Sequence, residues 1–458
     1  MKIKKRSIYE VITLIIVGIL IIREIYFGSN ELKVVIFLLS IYTLLFFINL
    51  FMNIKFPAVK ILNIFISGPI LILWNYISSG YKVSVYTEFW NNELIKDAIL
   101  LGLFIQIVFL LKNIQYERVS KEIEFGNIIR TKELSEFLVV ICSLCIVIFA
   151  LFANQGTPIY ESGAYSLETN QGLFGIKIWA EFITLFMIIG AFCVGENNKM
   201  KYLLIFSTLI AVLIHLSYGR RIEPVQGLMC IAIIFFRNKM TPKNIFSLSI
   251  LGFLLFMFIG QIRHGIFQQF SWDQVFKPFT IDYKNDSLTP STFGDVNYTY
   301  LAALGLVKNG IVDHLYGGLY YLMLIPKSFL PSNFIMGIFG DSAMPSESLI
   351  SSYTDTGGGS YFLGTMLLNF GIVGTIFVIP FFVSIVYKLE YLTMSKPNII
   401  LTLTYFVYAT TIPRLVLYME ISFTKQLVWT ILLYVVLWNI SYLNTRKTKR
   451  KVIESYEN

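Results

Sequence analysis

The chain has 458 residues, of which 56% are hydrophobic and 14% charged, with a mean hydropathy of +0.68. Soluble domains carry about a quarter charged residues, so a soluble enzyme is excluded; at about 20 residues per crossing, the length suits one membrane bundle better than three globular domains. The formal net charge of +9, from 37 Lys+Arg against 28 Asp+Glu, is read by its position along the chain before it is read as affinity for nucleic acid.

The first residues are basic (Lys2, Lys4, Lys5, Arg6), and the apolar stretch that runs on to Phe27 has no small-residue cleavage site, the pattern of a retained signal anchor. Further apolar windows follow at about 32–52, 58–78, 94–111, 137–153, 174–194, 201–218, 222–236, 245–262, 360–387, 398–412 and 417–441, each near the length that a bilayer requires. With the first they predict an all-α polytopic membrane protein of about twelve transmembrane helices. The runs are too long and unbroken for the strands of an outer-membrane barrel. Window eight, 222–236, is short enough to tilt or dip. Cys142, Cys145, Cys193 and Cys230 all lie inside apolar runs, where a thiol behaves as a small hydrophobe.

Placing the N-terminus inside puts most of the lysines and arginines on the cytoplasmic loops and their flanks, among them Lys112, Arg118, Lys121, Lys199, Lys201, Arg237, Lys388 and the tail Arg446, Lys447, Lys449, Arg450 and Lys451. That is the positive-inside pattern. It predicts both termini in the cytoplasm and makes nucleic-acid binding unnecessary. Three regions follow: 1–262 with helices one to nine, 263–359 as a large extracytoplasmic loop subdomain, and 360–458 with helices ten to twelve and a basic tail. The middle region carries Asp273, Asp282, Asp295, Asp313, Asp341 and Glu347, yet 298–307 and 315–330 are apolar enough to lie along the membrane. A structured, half-immersed subdomain is expected there.

This orientation sets Arg220 and Arg221 at the outer end of helix seven, Arg263 at that of helix nine and Arg414 at that of helix eleven. Arginine at a bilayer boundary is unfavourable unless it snorkels or pairs, and Glu223, Glu420 or a loop aspartate could pair with any one of these. Four on the face opposite to the usual bias ask for an anionic partner. A lipid-linked phosphate fits, since a guanidinium holds phosphate oxygens through two parallel hydrogen bonds and keeps its charge.

Of the three histidines, His264 and His314 fall on the outer side, as do Asp355, Glu347 and Glu420; these are candidate bases for an acceptor hydroxyl. His215, inside the outer half of helix seven, reads as a packing residue. No cofactor is called for, and no His/Cys/Asp/Glu set has metal-ligand spacing, so the chemistry is expected to be metal-independent. Gly357, Gly358 and Gly359 precede helix ten and would either hinge it or offer backbone N–H groups to an anion. The tyrosines between His314 and Pro331 are interfacial anchors or a platform for sugar rings.

The pattern resembles the Wzy-type oligosaccharide repeat-unit polymerases. Three patches carry the resemblance: Ser217-Tyr-Gly-Arg-Arg221 at a helix end; Ile325-Pro-Lys-Ser-Phe-Leu-Pro331 late in the outer loop; and Gly358-Gly-Ser-Tyr-Phe-Leu-Gly364 leading to Asn369-Phe-Gly-Ile-Val-Gly374, followed by Arg414. The resemblance implies a glycosyltransferase C-like bundle in the cytoplasmic membrane of a bacterium. Its extracytoplasmic site would use polyprenyl-diphosphate-linked glycans as donor and acceptor, alongside a flippase and a chain-length regulator. By that likeness Arg220, Arg221, Arg263 and Arg414 hold diphosphate, and one of His264, His314, Asp355 and Glu420 takes the proton. An O-antigen ligase is the alternative within the same chemistry. A polysaccharide flippase or other transporter ranks lower, because the unusual charges gather at outer helix ends and no internal repeat is visible.

Overall fold

The computed structural model describes residues 2–78, 91–122, 134–152, 176–194, 198–217, 222–236, 239–263, 292–312, 319–330, 337–338, 349–350, 352–354, 361–417 and 421–457. Among them every regular element is helical. The helices are α1 (Lys2–Phe27), α2 (Leu32–Phe51), α3 (Pro57–Leu71), α4 (Leu73–Ser78), α5 (Asn92–Glu122), α6 (Glu136–Phe152), α7 (Ile176–Cys193) and α8 (Asn198–Ser217), then α9 (Ile222–Phe235), α10 (Pro242–Arg263), α11 (Thr292–Lys308), α12 (Leu319–Lys327), α13 (Phe362–Ser395), α14 (Ile399–Leu417) and α15 (Ile421–Glu457). Each apolar window of the sequence overlaps one of these helices, the third the α3–α4 pair, and six of the described helices are long and apolar enough to cross a membrane.

Apolar side chains also point outward in ordered stripes. Val11, Ile15 and Ile19 line one face of α1, and Val373, Phe377, Phe381 and Ile385 line one face of α13; a spacing of four puts each set on a single side. Such continuous apolar faces suit acyl chains rather than water. Inside, α5 and α14 are the most enclosed of the long helices, with 83% and 78% of their apolar windows buried against 22% for α15. α13 packs along α3, α5, α11 and α14, while α14 also meets α9 and α15, so α14 joins two groups of helices.

The segment 298–307, expected to lie along the membrane, belongs instead to α11 and is buried among α3, α5 and α13. Its composition accounts for this. Val296, Tyr298, Tyr300, Leu301, Ala303, Leu304 and Leu306 go all round the helix and all are buried, and a helix that is apolar on every side belongs in a core, not at an interface. Its C-terminal end is held by charge: Lys308 Nζ bonds to the Asp97 carboxylate, to Glu93 Oε1 at 2.7 Å and to the Ile25 carbonyl at 3.2 Å. Lys96 Nζ donates to the Glu24 carbonyl at 3.0 Å, so the ends of α1, α5 and α11 are tied together.

Two further polar features set the register of the core. Gln106 Nε2 donates to Asn63 Oδ1 at 2.9 Å and to Ser67 Oγ at 2.8 Å, and Gln106 Oε1 accepts from Asn49 Nδ2 at 3.0 Å. Asn113 Nδ2 donates to Asn49 Oδ1 at 2.9 Å, and Tyr387 Oη donates to Asn113 Oδ1 at 2.5 Å. This seam crosses α2, α3, α5 and α13. Each such bond within a membrane is worth only about 0.6 kcal/mol, but a one-residue slip would break the whole row. The second feature is the start of α3, where Pro57 stands in the first turn and Phe56 offers no side-chain cap. The buried Glu390 carboxylate supplies one, accepting the Ala58 and Val59 N–H groups at 3.1 and 3.0 Å and the Tyr405 hydroxyl at 2.9 Å. A carboxylate there satisfies orphan donors and the positive end of the helix together.

α13 is not continuous. Gly371 has φ 66° and ψ −177°, a region essentially closed to residues with a Cβ, so 362–370 and 372–395 are two helical segments that meet at a break. Glycine is needed three residues later as well, since a Cβ on Gly374 would fall 2.8 Å from the Phe370 Cβ.

Candidate functional site

A narrow cleft opens where α8 finishes, α9 begins and α14 ends. α7 contributes Ile183 and Thr184, α8 contributes Thr208, Ala211, Val212 and His215, α9 contributes Glu223, Gln226 and Gly227, and α14 contributes Arg414. Positions 208, 211, 212 and 215 recur at helical spacing, so α8 turns one face into the cleft. α8 and α9 come close because Gly227 lacks a side chain: a Cβ there would meet Val212 Cγ2 at 2.8 Å. Gln226 Nε2 donates to Gln426 Oε1 of α15 at 2.8 Å, which ties this wall of the cleft to α15. The space has room for about one water-sized group.

The charged members sit where helix electrostatics favour them. His215 and Arg414 lie in the last turns of α8 and α14, and Glu223 lies in the first turn of α9. Partial negative charge at a helix C-terminus stabilises a cation and partial positive charge at an N-terminus stabilises an anion. Arg414 is 9% exposed and His215 3% exposed. A guanidinium so enclosed needs compensating charge, and Glu223 lines the same cleft. Together these groups offer a permanent cation, an imidazole and a carboxylate on three helices, an arrangement able to hold an anion and move a proton.

Of the arginines named from the sequence, Arg414 is thus in the cleft. Arg220 and Arg221 fall in the link between Ser217 and Ile222 and lie outside the described residues, as do His264, His314, Asp355, Glu420 and Gly357–Gly359. Arg263 closes α10, which packs on α2 and α3; its side chain also lies outside the description. His215, read from the sequence as a packing residue, faces the cleft, and Thr184 and Gln226 had no sequence signal. Helical spacing from His215 to Thr208 on α8, with Glu223 opening the next helix, is the pattern that could have singled His215 out.

The helix that leads into the Ile325–Pro331 patch touches the break in α13. Tyr321 of α12 stacks on Phe370 at the α13 break, and Thr424 Oγ1 of α15 donates to the Leu324 carbonyl at 3.4 Å. Lys327 and Tyr320 are both buried, with the ammonium 5.1 Å from the centre of the Tyr320 ring. Tyr361, just ahead of α13, hydrogen-bonds through its hydroxyl to the Ile66 carbonyl. All four cysteines are free, and among the described residues no group of three His, Cys, Asp or Glu side chains is placed to hold a metal ion. Comparison with known protein families, with curated proteins and with solved structures gives no match to this chain.

Proposed function

We propose that the chain is a glycan polymerase of about twelve membrane spans with both termini in the cytoplasm. It joins polyprenyl-diphosphate-linked repeat units on the outer face of the cytoplasmic membrane. An acceptor-sugar hydroxyl attacks the donor anomeric carbon, and lipid diphosphate departs. Arg414 holds the departing diphosphate as its charge develops, with Arg220 and Arg221 supplied by the link that joins α8 to α9 and Arg263 by the end of α10.

The observation that carries this reading is the enclosed Arg414, which shares a cleft with an imidazole and a carboxylate at the ends of three helices. An arginine placed only for topology would snorkel to water instead. The test is reconstitution of the purified chain in liposomes with lipid-linked repeat units from cells that lack it. A ladder of longer glycans on lipid diphosphate, formed without nucleotide or ion gradient, is expected; absence of any extension sinks the reading, and transfer of glycan to a different acceptor identifies a ligase.

One observation favours a second reading. The break at Gly371, beside the buried Asn369, is the type of interrupted helix on which transporters build mid-membrane substrate sites. Movement of labelled lipid-linked repeat units across the liposome bilayer, with no chain growth, would assign the protein to that class.

A further inference from the structure

We infer that His215 takes the proton from the acceptor hydroxyl, a role that rests on the polymerase reading above. Three titratable or charged side chains line the cleft, and they differ in kind. Arg414 is charged at any working pH and cannot accept a proton. Glu223 is a carboxylate that lines the same cleft as this enclosed cation and serves to compensate its charge. A base must accept a proton and release it again, and among the described lining groups the imidazole of His215 is the group left to do so beside the cation.

The surroundings suit the role. Ile183, Ala211, Val212 and Gly227 close the space around the polar groups, which has room for about one water-sized group. A single hydroxyl fits such a space; in the proposal the sugar ring that carries it, the donor anomeric carbon and the diphosphate meet it at the mouth of the cleft. Excluding bulk water strengthens charge interactions within the cleft. In the reaction the hydroxyl oxygen forms the new bond to the anomeric carbon, and the bond from that carbon to the diphosphate oxygen breaks with its electron pair leaving on the diphosphate. The hydroxyl proton passes to the His215 ring and is later released to water. Glu223, which lines the same cleft, offsets the charge of the imidazolium. Arg414 remains with the diphosphate.

Two readouts on the reconstituted protein test this: extension of lipid-linked repeat units, and binding of undecaprenyl diphosphate without any sugar. His215→Gln and His215→Asn, which keep a polar group at one or other ring-nitrogen position, should lose at least about 100-fold in extension rate while binding undecaprenyl diphosphate within about twofold of the parent. Glu223→Gln should lose less in extension than either. Three results overturn the assignment: extension by His215→Gln near the parent rate, loss of lipid diphosphate binding in both histidine variants together with extension, or a larger loss in Glu223→Gln than in the histidine variants. The parent protein separates the two proposals. If it neither extends chains nor binds the diphosphate, the polymerase reading fails and the proton role with it; if it does both while His215→Gln matches it, the proton role alone is lost.

Discussion

Tyr321 lies flat against Phe370, with ring centroids 5.8 Å apart and planes inclined by 7°. The contact joins α12 to the last residue before the break in α13. Two segments far apart in the sequence thereby become one structural unit.

Removing that contact should loosen the unit. Tyr321→Ala is expected to lower stability by about 1 kcal/mol beyond the loss of buried area, and Tyr321→Phe, which keeps the ring, should recover that extra part. Thermal unfolding in detergent, followed by size-exclusion fluorescence, checks it; equal melting of the two variants would show that neither the area nor the stacking of the ring contributes.

The break itself demands glycine. Gly371→Ala forces a Cβ into a positive-φ conformation, at about 1–3 kcal/mol, and Gly374→Ala sets a methyl group against the Phe370 side chain. Both should lower the melting temperature. Gly252→Ala in α10, where nothing stands within 4 Å of the added carbon, should leave it unchanged or slightly raised.

The link between α11 and α5 predicts a non-additive pair. Lys308→Met leaves the Asp97 carboxylate enclosed with Lys96 Nζ as the one cation near it among the described residues, at 3.7 Å, and should destabilise by about 3 kcal/mol. Adding Asp97→Leu removes the stranded charge, so the double variant should melt above Lys308→Met alone. A double variant that melts at or below the single would contradict the pairing.

Arg414 is expected to tolerate neither loss of charge nor loss of shape. Arg414→Ala should abolish chain extension in cells and in liposomes while the protein still inserts in the membrane, and lipid-linked single repeat units should accumulate. Arg414→Lys keeps the charge without the two-pronged hydrogen bonding and should restore less than about a tenth of the rate, read from the glycan ladder on gels.

The helices were legible because long apolar runs are written into composition: every predicted window overlaps a described helix, and six of those helices are long and apolar enough to cross a membrane. Depth was harder to read. The run around Tyr300 is as apolar as an interfacial helix, and only the side chains facing it from α3, α5 and α13 decide that it is enclosed. Arg414 stood out as a charge at the end of an apolar window. His215 did not, because its neighbours Thr184, Glu223, Gln226 and Arg414 come from three other helices, and such a meeting leaves no mark on any one segment. The glycines of Asn369-Phe-Gly-Ile-Val-Gly374 were visible in the sequence, but the sign of φ at Gly371 was not.

The carboxylate that completes the first turn of α3 lies more than 300 residues further along the chain. A ribosome releases Pro57 long before it reaches Glu390, so the early helices enter the membrane with that turn unfinished. The fold therefore closes late, and a chain stopped before α13 would present to quality-control proteases an N-terminal half that has never received its final clasp.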